Sequence, residues 1–94
     1  MTPMLPPDMV IQRGHDARGL ISHPTFLNVV DELSHYHLAG IVASPPNEAG
    51  RAARDYHHLM HYALNEIAAE LSQRVQTADE LMQAMKLTEE DNDE

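Results

Sequence analysis

Two consecutive prolines in Ser44-Pro45-Pro46-Asn47 separate two stretches of helical apolar periodicity, and this break constrains the chain more than anything else in it. The residue before each proline is pushed out of the α region, so no helix runs through this point. So short a connection brings its flanking helices side by side and opposite in direction. The expected architecture is an antiparallel helical hairpin.

On the N-terminal side, Ser22-His23-Pro24-Thr25 places a capping side chain ahead of a proline in the first helical turn, where a missing N–H costs nothing. From there Phe26, Val29, Val30, Leu33, Tyr36, His37, Gly40 and Ile41 recur at spacings of three and four, forming one apolar stripe that ends near Ala43. Beyond the break, Ser44 or Asn47 can cap a second helix over roughly 48–75. Its stripe is Ala49, Ala52, Ala53, Tyr56, Met60, Ala63, Ile67 and Leu71, with alanines nearest the turn to allow close packing. Thr77-Ala78-Asp79-Glu80 has the capping-box pattern, which predicts a short third helix. Residues 1–21 hold Pro3, Pro6, Pro7, Gly14 and Gly19, and breakers at this density predict an extended arm. The layout is therefore all-α: an extended N-terminal arm (1–21), a helical hairpin (22–76), a short third helix (77–87) and an acidic C-terminal tail (88–94) that should fray.

A chain of 94 residues makes one domain and buries only about 60–65% of its unfolded surface, so its core is thin and a partner or second copy is expected. The absence of cysteine excludes disulfides, thiolate metal sites and cysteine nucleophiles. No apolar run approaches the ~20 residues that span a bilayer. The opening Met1-Thr2-Pro3-Met4-Leu5-Pro6-Pro7-Asp8 lacks the basic and apolar regions of a signal peptide, so neither membrane residence nor signal-directed secretion is expected. The net charge of −9 is concentrated at the C-terminus, where residues 77–94 carry seven acids against Lys86. Direct nucleic-acid binding needs a basic face to displace counterions, and no basic cluster exists.

The histidines invite a metal reading. His57 and His61 have the i, i+4 spacing of a helical chelate, yet His57-His58-Leu59-Met60-His61 lacks the glutamate that an HExxH protease uses as its base. If the chain turns near residue 45, His37 comes level with Arg54, and His37, Asp55, His57 and His61 become the ligand set of a metal-binding alternative. His35 points roughly 160° away from His37 and belongs to a solvated face. Against ligation stands the ordinary role of His37 and Tyr56 as amphipathic core residues with satisfied polar tips. Glu66 and Glu70 have no histidine three residues on, as a di-iron carboxylate site would require. There is no phosphate loop, no nucleophile elbow and no kinase signature, so neither catalytic residues nor a cofactor are expected.

What remains is apolar surface that a hairpin cannot bury by itself. Leu27, Leu38 and Val42 lie off the main stripe of the first helix, Leu81 and Met85 mark the third, and Val10 and Ile11 mark the arm. These seven residues are the expected partner interface, and homo-oligomerisation is one way to fill it.

His23-Pro24-Thr25-Phe26 opening a helix, the Ser44-Pro45-Pro46-Asn47 break, Glu48, Arg51, Arg54 and Asp55 in the next helix, and an acidic tail together resemble the small helical-hairpin proteins of tailed-bacteriophage structural modules. The resemblance covers roughly residues 22–75 and rests on layout. It implies a non-enzymatic virion component, located in the virion or host cytoplasm, that docks on a head, portal, capsid or connector protein in several copies. A third reading is a small adaptor or regulator whose acidic tail mimics nucleic acid.

Overall fold

The computed structural model describes residues 5–92, with side chains described as far as Glu89. Met1–Met4 of the expected arm and Asp93 and Glu94 of the expected tail lie outside the described residues. Three helices account for nearly all of the rest: α1 (Pro7–Ile21), α2 (Pro24–Ala43) and α3 (Glu48–Asn92). The described chain is all-α. Among the described residues, no helix is long and apolar enough to cross a membrane.

Helix α2 starts and stops where the prolines direct it. His23 is the N-cap in extended backbone, and its imidazole Nδ1 accepts from the Thr25 amide at 3.2 Å, with Pro24 following in the first turn. At the other end the Ser44 amide donates to the Gly40 carbonyl at 3.1 Å, and the Ser44 hydroxyl donates to the same oxygen at 2.6 Å. Asn47 then caps α3, its Oδ1 accepting from the Gly50 amide at 3.1 Å. Arg54 clamps the link by donating to the carbonyls of Pro45 and Asn47.

Two expectations are corrected. Residues 7–21 are not an extended arm but the 15-residue helix α1. Pro7 opens that helix, where a proline is harmless, and the Pro6 carbonyl accepts from the Met9 and Val10 amides. Neither Gly14 nor Gly19 takes a positive φ. Gly14 is instead a contact residue, because a Cβ there would strike the Ala78 Cβ and lie 2.9 Å from the Arg74 carbonyl oxygen.

The short third helix over 77–87 is the second correction, since residues 48–92 form one helix of 45 residues. A capping box starts a helix only where the preceding one ends, and after Gly50 this stretch has neither proline nor glycine to end it. Its polar groups are satisfied along the helix surface. The Thr77 hydroxyl accepts from Gln73 at 3.2 Å, and the Glu80 carboxylate accepts from Gln76 at 3.1 Å. The backbone of residues 88–92, part of the expected tail, continues the helix.

The chain divides into two compact units, residues 22–69 and residues 1–21 with 70–94. In the second, α1 meets the later part of α3 through Gly14, Ala17 and Ala78, all buried. An Arg18–Asp79 ion pair at 2.7 Å lies on the exposed rim of this contact. Val10 and Ile11 are half-buried and line grooves against α3, Val10 beside Gln73 and Thr77, Ile11 beside Ala78 and Met82. Leu81 is half-buried as well, whereas Met85 is exposed.

In the unit of residues 22–69, α2 lies against the earlier part of α3. His37 is buried, while Phe26, Val30, Ile41, Met60 and Leu64 are half-buried. Gly50 sits so close to the Pro45 carbonyl that a side chain there would collide with it. Five large residues of the predicted stripes, Val29, Leu33, Tyr36, Tyr56 and Ile67, remain exposed, as do Ala49, Ala52, Ala53 and Ala63. A single neighbouring helix covers only the central line of a stripe, and the flanks wait for a further layer.

Candidate functional site

The chemical centre of the α2–α3 unit is a pair of imidazoles. His37, at 3% exposure, is the only polar or charged side chain buried among the described residues. Its Nδ1 lies 2.9 Å from the Nδ1 of His57. One nitrogen must carry its hydrogen and donate while the other accepts, so the two rings hold complementary tautomers. No buried side-chain nitrogen or oxygen among the described residues lacks a partner.

Two tyrosines enclose this pair edge-on. The Tyr36 ring centroid is 5.1 Å from His37 and 5.7 Å from His57, and the Tyr56 ring is 5.1 Å from His57 and 5.8 Å from His37. Interplanar angles of 66–76° set the positive ring edges against aromatic faces, the favoured geometry of such contacts. Gly40 makes the cluster possible, because a Cβ at that position would overlap the His57 ring. The arrangement is nearly symmetric, two Tyr-His dipeptides facing one another from two helices.

Of the four residues in the metal reading, His37 and His57 are thus brought together, but His37 stands level with His57 and not with Arg54. The link from Ser44 to Asn47 takes up a full turn of chain, which shifts the register. Asp55 points to solvent and lies 4.0 Å from Arg51, while His61 is 3.4 Å from the Asn65 amide. Among the described residues, no three histidine or carboxylate side chains converge in a way that could hold a metal ion. His35 is exposed, with its Nδ1 2.8 Å from the Asp31 carbonyl and 3.4 Å from the Asp31 carboxylate.

Leu27, Leu38 and Val42 are exposed on α2, Val42 at 87%. The partners that sequence reasoning missed are Tyr36 and Tyr56, assigned to the core but open to solvent over half of their surface. The repeated Tyr-His dipeptide, placed almost evenly about the proline break, was the available signal for this cluster.

In the α1–α3 unit, Arg13, Glu70, Arg74 and Thr77 line an open groove with Leu5 and Val10. Arg74 and Glu70 form an ion pair at 3.1 Å there. No protein-family model matches this chain, and neither a curated protein nor a solved structure matches it.

Proposed function

We propose that this chain is a non-enzymatic assembly protein, an antiparallel helical hairpin that docks on a larger protein surface. The observation that carries this reading is the exposed apolar side of α2, where Leu27, Leu38 and Val42 face solvent. Clustered apolar residues of this kind mark sites of association in soluble proteins. The buried titratable chemistry points the same way, since the two imidazoles of the α2–α3 unit satisfy each other and hold the helices in register. A mutually satisfied buried pair specifies structure. The layout of residues 22–75 favours a minor component of a tailed-phage virion, docking on a portal, capsid or connector protein.

The test is co-elution of the full chain with purified phage portal, capsid and connector proteins. The expected result is a complex with one of them that is lost in Leu27→Glu/Leu38→Glu while the helical circular-dichroism signal is kept. Failure to bind any of the three, or binding indifferent to both substitutions, overturns the reading.

One observation favours metal binding as a second reading. The two Nδ1 atoms at 2.9 Å are close enough to share one ion, provided that further ligands come from elsewhere. Elemental analysis of the purified chain decides it: a stoichiometric transition metal lost in His57→Ala supports this reading, and a metal-free protein removes it.

A further inference from the structure

The α2–α3 unit has a second uncovered side, distinct from that of Leu27 and Leu38. Take His37 and His57 as the inward directions of their helices and turn roughly 100° per residue. Val29, Leu33 and Tyr36 then fall to one side of α2, and Tyr56, Met60 and Ile67 fall to the side of α3 with the same rotational sense. In antiparallel helices, equal rotational sense means the same face of the pair. The ring contacts agree, since Tyr36 and Tyr56 both touch both histidines. Tyr36 is 62% exposed and Tyr56 is 53% exposed.

Three properties of this face say what covers it. It carries little charge: between Ala49 and Ile67 the charged residues of α3, Arg51, Arg54, Asp55 and Glu66, all project to its other sides, and on α2 only Glu32 borders it, about 40° beyond Tyr36. On a chain of net charge −9, a face with a single carboxylate at its rim lets two copies meet with little repulsion between acidic groups. Its area also suffices. Two half-exposed tyrosines, three half-exposed aliphatic side chains and the neighbouring alanines offer at most about 600 Å² per copy, which puts a two-copy interface at about 1,200 Å², the lower end of specific interfaces.

The third property is a taper. Near the proline link the face is built of small residues, Gly40, Ala49 and Ala53, and at its far end of Val29, Leu33 and Ile67. A two-fold axis lying in the interface and perpendicular to the helices sets the small end of one copy against the bulky end of the other. An axis parallel to the helices would set bulk on bulk and leave a gap between the small ends.

We propose that this tyrosine-bearing face is closed by a second copy of the chain, antiparallel to the first, making a four-helix layered dimer. The inference rests on the hairpin of the reading above, not on its larger partner, and names a different face for a different occupant. The dimer face excludes water from the imidazole pair, while Leu27, Leu38 and Val42 remain outside for a larger partner.

The experiment is light scattering of the full chain over a dilution series, alongside oxidative cross-linking. The wild type is expected at twice the 10.5 kDa chain mass, and Tyr36→Glu/Tyr56→Glu at half the wild-type mass with its helical signal intact. Since the chain has no native cysteine, single substitutions report orientation cleanly. Ile67→Cys mixed with Ala49→Cys should form a disulfide-linked pair, and Ile67→Cys alone should not.

A monomeric wild type, a dimer that survives the tyrosine substitutions, or self-linking of Ile67→Cys overturns the inference. Should the tyrosine variant fail to fold, the cross-linking pattern decides alone. The two readings fail separately. A dimer that persists in Leu27→Glu/Leu38→Glu but never binds a larger partner supports this inference and removes the assembly reading, whereas partner binding by a monomeric wild type does the reverse.

Discussion

Helix α3 is packed twice, by two unlike kinds of chemistry. Against α1 it uses residues with almost no side chain, and Gly14, Ala17 and Ala78 become the buried core because nothing protrudes to keep the backbones apart. Against α2 it uses aromatic and polar rings, with His37 and His57 hydrogen-bonded and two tyrosines edge-on around them. The first contact depends on the absence of volume. The second depends on the identity of two nitrogens. Neither buries a large aliphatic side chain completely, and this explains how a helical chain of this size leaves so many apolar residues in the open.

If this contrast is right, adding volume should damage one contact and removing a polar partner should damage the other. Gly14→Val should have the largest effect. Its side chain meets the Ala78 Cβ and a backbone oxygen, neither of which can swing aside, so about 3 kcal/mol or more is expected. Hydrogen exchange localises the damage: amides of α1 should lose protection while those of α2 keep it, and equal loss in both would show that the two contacts melt as one.

His57→Ala should come next. It opens a cavity and leaves the buried His37 nitrogen without its partner, at a cost of about 2–3 kcal/mol in denaturant unfolding. The double substitution His37→Leu/His57→Phe removes both polar groups together and should cost less than the single one, since no unpaired nitrogen remains. A double variant as unstable as the single would mean that shape, and not hydrogen bonding, governs this contact.

The smallest effect has the opposite sign. Gly19 has no atom within 4 Å of where a Cβ would stand, and its φ is not positive. Gly19→Ala should therefore stabilise α1 by about 0.5–1 kcal/mol in the same unfolding measurement. Gly14 and Gly19 then sharpen the comparison within one helix, because the same residue type protects a contact at one position and only loosens the chain at the other.

The sequence made α2 legible to the residue. Pro24, Pro45 and Pro46 act locally, through their own rings and the residue before them, so no knowledge of the fold is needed to place them. Gly14 was legible only as a breaker, and the arm was expected to be extended, since its contact with Ala78 spans 64 positions of chain. The capping box at Thr77 misled for a related reason. Its pattern predicts the end of one helix and the start of another, but its side chains find partners four residues back along an uninterrupted one. Of the metal set, the pattern correctly drew His37 towards His57, but it could not foresee that Asp55 faces solvent, because the register across the link depends on how many residues Ser44 to Asn47 consume.

By itself, then, the sequence determined the helical class, the break at Pro45-Pro46, the limits of α2 and the shortage of a core, all of which follow from backbone sterics and composition. Only the tertiary structure decided that Gly14 is a contact, that two Tyr-His dipeptides meet, and which flank of each apolar stripe stays bare. Those outcomes depend on which helix neighbours which and at what register, and such distances between remote residues are set by packing, for which a local pattern carries no measure.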